Sequence, residues 1–249
     1  MRPLLGIIAA AIATLTVNAQ SPRPLPDADA FFKATEQNMR RSQEAIYSYK
    51  ERRSELHTNP FGKLGTDGTR VYEVTPGPER GITYRRLLEE DGVKVENAKL
   101  ERQDNRERSM STRQAIDDVI DTLAFRMERR EVVDGRDVIV ISFAPKPDAH
   151  PQTRPGKIAK VFKGTIRVDE AAQEVMRVDG TTIDSMSFGF GLIARLNEGT
   201  KVTLRRGPVD EMTWQPTSVR FVGEGRAILF RKLNIDYAVD WFDYHRVTR

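Results

Sequence analysis

The chain contains no cysteine. Disulfide bonds, a thiolate nucleophile, cysteine-based zinc sites and attachment through a lipidated cysteine are therefore all excluded. Histidine is scarce as well. His57, His150 and His245 are widely separated and never stand at ligand spacing from one another, so the sequence points to no metal centre. No serine lies in a G-x-S-x-G elbow; Ser185 and Ser187 simply alternate with Met186 and Phe188, as strand residues do. Acidic residues are plentiful, but their spacing selects no catalytic pair. The expectation is a non-enzymatic protein with no cofactor, and an exported hydrolase ranks last among the functional classes weighed. A strong charge of one sign is also missing: Lys and Arg number 40 against 36 Asp and Glu, for a net charge of +4. The signs alternate finely, as in Lys50-Glu51-Arg52-Arg53-Ser54-Glu55. Such mixing is the pattern of solvated faces, whereas nucleic-acid binders gather basic residues into a patch or stripe. Nucleic acid is excluded as a partner.

The N-terminal apolar run, Leu4–Val17, falls short of the roughly 20 residues that a spanning helix requires. It follows the short positive start Met1-Arg2-Pro3 and runs into Val17-Asn18-Ala19, where small or aliphatic residues precede a cut ahead of Gln20. This is the layout of a cleaved signal peptide over residues 1–19. Residues 20–26, with Pro22, Pro24 and Pro26, then form a stiff spacer that no packed helix would continue into. The expectation is an exported protein, periplasmic or otherwise, soluble and without a permanent membrane span once cut near Ala19. Residues 27–249 read as a single β domain, large enough to stand by burial and hydrogen bonding without disulfides.

The first mature element reads as a helix over Asp27–Ile46. Asp27 is placed as its N-cap, and Ala28, Phe31, Phe32, Thr35, Met39, Ser42 and Ile46 recur at spacings of three and four. Hairpin signals dominate thereafter. Asp-Gly occurs at Asp67-Gly68, Asp91-Gly92, Asp134-Gly135 and Asp179-Gly180, each beside runs of strand composition, and Asn197–Gly199 and Gly223–Gly225 read as longer turns. About ten strands result, with Glu174–Val178 and Thr181–Phe188 drawn as two of them. Short connections make the sheet an antiparallel meander. Two helices interrupt it: a weakly periodic one from Glu96 to about Arg106, and a better one over Ser111–Phe125 with a Ser111/Gln114 capping box. Pro145–Gly156 reads as a surface loop. The fold class is mainly β with helices (α+β).

Two apolar faces are candidates for binding. Met186, Phe188, Phe190 and Leu192 share one strand face, and Ile116, Val119, Ile120 and Leu123 share one helix face. A soft face of Met and Phe under an amphipathic helix suits an acyl-chain groove. It equally describes an ordinary closed core, and from the residues alone core is the commoner outcome. The glycines of Gly189-Phe190-Gly191-Leu192-Ile193-Ala194 match a dinucleotide fingerprint in form only, because no βαβ unit surrounds them.

Several segments, spread over most of the mature chain, carry a resemblance. They are the helix Asp27–Ile46 delivering Tyr47-Ser48-Tyr49; Gly164–Asp169 leading through Glu170–Ala172 to Gln173–Val178; Trp214-Gln215-Pro216 opening a late strand; and the terminal Tyr237…Trp241-Phe242-Asp243-Tyr244. Together they resemble the LolA/LolB-type periplasmic lipoprotein carriers, with RseB-like sensor domains and outer membrane lipoprotein-sorting homologues as relatives. The resemblance implies an incomplete antiparallel β-barrel, a half-barrel whose concave face is covered by helices, with lipid acyl chains held between. It implies acyl chains of a lipid or lipoprotein as ligand and a possible part in lipoprotein sorting. An envelope protein partner, recognised as a sensor module would do it, is the alternative. The missing cysteine makes the chain resemble the soluble carrier more than the lipid-anchored receptor.

Overall fold

The computed structural model describes residues 23–58, 68–79, 81–104, 112–188, 194–227 and 231–248, with backbone alone at 55–58, 112–113, 186–188, 194–196, 224–227 and 231–235. The expected signal peptide and Asp67 lie outside these residues.

Helix α1 spans Ala28–Glu44. Its N-cap Asp27 accepts the Ala30 N–H at 2.9 Å, satisfying one of the donors a helix start leaves open. Phe31, Thr35 and Ser42 are its buried positions, so the three-and-four spacing does define the packed stripe.

The described strands, in chain order, are β1 (Tyr47–Thr58), β2 (Gly68–Pro76), β3 (Ile82–Glu90), β4 (Val93–Lys94), β5 (Leu100–Asp104), β6 (Leu123–Val133), β7 (Arg136–Pro145), β8 (Phe162–Asp169), β9 (Glu174–Thr182), β10 (Met186–Phe188), β11 (Ala194–Leu196), β12 (Lys201–Pro208), β13 (Trp214–Ala227) and β14 (Arg231–Arg246). They form one antiparallel sheet in the order β4-β3-β2-β1-β14-β13-β12-β9-β8-β7-β6, with β5 also on β3 and the β10–β11 pair reaching β13. Among the described residues the two ends, β4 and β6, do not meet, so the curled sheet is an incomplete barrel. Two further helices are α2 (Thr112–Thr122) and the short α3 (Arg154–Ala159).

Four expectations are corrected. Leu100–Asp104 is not helical; it pairs with β3 from Ile82↔Asp104 to Arg86↔Leu100, an edge position that its alternating charges suit. Asp179-Gly180 is not a turn, because β9 runs through it from Glu174 to Thr182. Glycine keeps the packing close there: a Cβ on Gly180 would stand a tight 3.0 Å from Val202 Cγ1 and 3.2 Å from Phe162 Cδ1. Gly223–Gly225 likewise lies inside β13. The polar stretch after Pro145 also yields α3 from Arg154 on, with Thr153 as N-cap and Pro155 in the first turn.

The core lies between the helices and the β6–β9 part of the sheet. Phe31 packs with Ile139, Ile141, Val168 and Val175, joined by Phe32, Met39, Phe125 and Met127. Leu123, Phe143 and Phe162 form a second cluster with Val119 of α2 and Ile158 of α3. The C-terminal half of α1 is fixed by a buried polar network. Ser42 Oγ donates to Glu174 Oε1 at 2.9 Å, Arg206 Nη1 donates to Glu174 Oε2 at 3.0 Å, and the Trp214 N–H donates to Ser42 Oγ at 3.2 Å. The three described helices therefore cover one half of one face.

Candidate functional site: the helix-side face beyond the helices

Cross-strand partners in a sheet project to the same side, so the register extends the core face past the helices. From Val178, which packs in the core beneath α1, one row continues Leu204, Val219, Val239 and Arg53. A second row runs from Gly180 through Val202 and Phe221 to Tyr237. A third links Trp241, Glu51, Tyr72 and Leu87. Val239 is buried at 3% exposure, while Val202, Leu204, Val219, Phe221, Tyr237 and Trp241 are half-buried. Phe221 and Tyr237 face each other with ring centroids 6.3 Å apart. From Val178 to Arg53 the first row crosses four strand spacings, about 19 Å. The result is an apolar and aromatic strip that starts under α1 and leaves its cover.

The strip ends at a charged island. The Glu51 side chain is only 6% exposed. Its Oε1 accepts Arg53 Nε at 3.0 Å and lies 3.5 Å from Arg85 Nη1. The Arg85 guanidinium lies over the Tyr72 ring at 4.0 Å, with Arg53 at 5.7 Å from the same ring. Tyr49 stacks beside Tyr244 at 5.5 Å. Burial first, and then the Glu51 charge, push the Tyr49 phenol up to about 12. The finely mixed charges of Lys50–Glu55 thus do not all lie on a solvated face: register turns Glu51 inward between Trp241 and Tyr72.

The residues singled out in the sequence fall elsewhere. Leu123 is 6% exposed in the cluster with Phe143 and Phe162, and Val119 packs against that cluster. Ile116 and Ile120 are half-buried on α2. Met186 and Phe188 belong to β10, described by its backbone, and Phe190 and Leu192 lie outside the described residues. A meeting of Ile120 and Leu123 with Phe188 and Phe190 is therefore not part of the described geometry.

The opposite face is of another kind. Arg126, Glu128, Arg129, Glu131, Arg167, Arg177 and Asp179 form ion pairs across it. A hollow of about 520 Å³ opens there, lined chiefly by Ala124, Arg126, Ser142, Ala144, Lys163, Thr165 and Thr181. These positions alternate with the core residues Phe125, Phe143 and Gly180. Among the described residues no group of three His, Asp or Glu side chains is placed to hold a metal, and no helix is long and apolar enough to cross a membrane.

No family model matches the chain, and no curated protein matches it in sequence. In structure it is similar to a putative outer membrane lipoprotein-sorting protein domain from Vibrio parahaemolyticus, at 11% identity and a TM-score of 0.44 over 89% of this chain and 94% of that one. It is similar to a DUF1329 family protein from Desulfovibrio piger, at 15% identity and a TM-score of 0.39 over 88% and 92%. It is also similar to a LolA superfamily protein from Nitrosomonas europaea, at 12% identity and a TM-score of 0.32 over 86% and 94%. Likeness at this depth assigns neither a ligand nor a role to this chain.

Proposed function

We propose that the protein is an exported, non-catalytic binding protein that shelters acyl chains of a lipid or lipoprotein on the helix-side face of its half-barrel. One observation carries this reading: the rows through Leu204–Val219–Val239 and Val202–Phe221–Tyr237 continue the core beyond the helices and, apart from the buried Val239, are left half-buried. Burying a chain there yields about 0.8 kcal/mol per methylene, so affinity needs no precise polar contact. The candidates read from the sequence, Ile116, Val119, Ile120, Leu123, Met186, Phe188, Phe190 and Leu192, are proposed as further apolar contacts for the ligand.

The test is a lipid inventory of protein purified from its native envelope, followed by delipidation and titration with a fluorescent fatty acid. The expected result is co-purifying lipid and saturable uptake, and Phe221→Glu is expected to abolish uptake in a protein that still melts cooperatively. Absence of lipid together with no uptake after delipidation would end the acyl-chain reading.

A second reading has its own observation. Among the described residues strand β6 pairs with β7 alone, and its Val132 is 71% exposed. A free edge of this kind can add a partner's strand. Crosslinking in intact cells separates the two readings: one stoichiometric protein partner that survives delipidation favours the edge, and many transient lipoprotein contacts favour the carrier.

A further inference from the structure

The charged island at the end of the apolar strip is not balanced. Arg53 and Arg85 share one oxygen of one buried carboxylate, Glu51 Oε1. Arg53 takes the close position, with Nη2 at 2.9 Å and Nε at 3.0 Å. Arg85 is left at 3.5 Å, and its other ion pair, to Glu101, is 3.6 Å long and reaches a carboxylate that is 59% exposed. Both distances are too long for a good charge-assisted hydrogen bond, which measures about 2.7–2.9 Å. Yet the Arg85 side chain is only 19% exposed, and its Nε is buried with no hydrogen-bond partner among the described residues. A guanidinium carries five N–H donors in a fixed fork and stays charged, so leaving it buried without acceptors is costly. Its flat side is taken by the Tyr72 ring at 4.0 Å, which leaves the donor-bearing rim for an acceptor.

Among the described side chains, two cations share one inward carboxylate where the hydrophobic rows stop, and Arg53 is the cross-strand neighbour of Val239. We infer that Arg85, assisted by Arg53, receives the anionic headgroup, a carboxylate or phosphate, of an amphiphile whose chain lies along the Leu204–Val219–Val239 row. This inference rests on the acyl-chain reading of the strip and adds the charge of the ligand to it. Planar carboxylate and phosphate oxygens match the guanidinium fork in pairs, whereas a neutral hydroxyl or ester accepts weakly and brings no charge. Glu51 then acts as a competitor that holds the two arginines in place while the site is empty of ligand.

The test compares two probes with the same chain and different ends, palmitate and hexadecanol, each displacing a fluorescent fatty acid from delipidated full-length protein. Palmitate is expected to displace at about tenfold lower concentration, the scale of one charge-assisted pair. Arg85→Gln is expected to bring that ratio close to one while leaving hexadecanol unchanged, and Arg85→Lys, which keeps the charge and loses the fork, to fall between. If Arg85→Gln does not melt cooperatively, Arg85→Lys and Arg53→Gln carry the same comparison. An unchanged ratio in folded Arg85 and Arg53 variants would overturn the headgroup site while leaving acyl binding intact. Failure of both probes to displace would overturn the acyl reading itself. Inorganic phosphate serves as the third arm: displacement by phosphate at palmitate's concentrations would make the site one for free anions and overturn the amphiphile.

Discussion

The hydroxyl of Ser42 on α1 donates to the carboxylate of Glu174 on β9, and the two side chains are 0% and 2% exposed. Glu174 is also the partner of Arg206, itself 9% exposed, so the contact joins α1 to β9, β12 and, through Trp214, β13. Removing one member of a buried ion pair strands the other, at a cost of about 3–5 kcal/mol. Glu174→Ala is therefore expected to lower stability by that amount in urea unfolding. Ser42→Ala, which deprives a charged acceptor of one donor, should cost about 1–3 kcal/mol. Equal, small effects of both would mean that α1 is not anchored here.

Two glycines of identical dipeptides should respond for different reasons. Gly135 has φ of 76° with nothing within 4 Å of an added Cβ, so Gly135→Ala is expected to cost about 1–2 kcal/mol through backbone strain alone. Gly180 meets Val202 and Phe162, so Gly180→Ala should cost about 1–3 kcal/mol by overpacking. Shortening the neighbour separates them: Val202→Ala should partly rescue Gly180→Ala and leave Gly135→Ala unaffected in a double-mutant comparison.

Acid should loosen α2 from α3. The Asp118 carboxylate accepts the Thr153 hydroxyl at 2.5 Å and the Thr153 and Gln152 N–H groups at 2.7 and 3.1 Å. The Thr153 hydroxyl first, and then these backbone donors, hold it below its ordinary value of 3.8. A carboxyl lowered in the folded state contributes stability that is complete above its unfolded value and is lost as pH falls through the folded one. Thermal melts of Asp118→Asn are expected to show a flatter decline below pH 3.8 than the parent protein. Parallel acid limbs would rule the contact out as a source of acid sensitivity.

Much of the α1 and hairpin geometry was legible because its causes are local. Phe31, Thr35 and Ser42 mark a buried stripe by spacing, and Asp91-Gly92 and Asp134-Gly135 adopt the positive φ angles of tight turns. Asp179-Gly180 carries the same letters, but its glycine sits tight against Val202 and Phe162 on neighbouring strands, a cause no window around residue 180 contains. The strip and its arginines were hidden for a related reason. Leu204, Val219 and Val239 are single apolar residues on three strands, and only the pairing of β12, β13 and β14 lines them up. Glu51 looks like any surface charge among alternating charges until register places it between Trp241 and Tyr72.

The pairing of β1 with β14, from Tyr47↔Arg246 to Thr58↔Asn234, has a consequence in time. The middle of the sheet is a seam between an early strand and the last one described. While the chain is being made or threaded, β1 and β13 each wait with an unpaired edge, and closing so long a loop is slow. The β6–β9 meander carries no such delay, since each of its strands pairs with the next. Order should therefore spread from the helix-covered half, with the strip and its arginines assembled only when the final strand docks. Until then the exposed edges are a hazard for aggregation, which a holding chaperone would relieve.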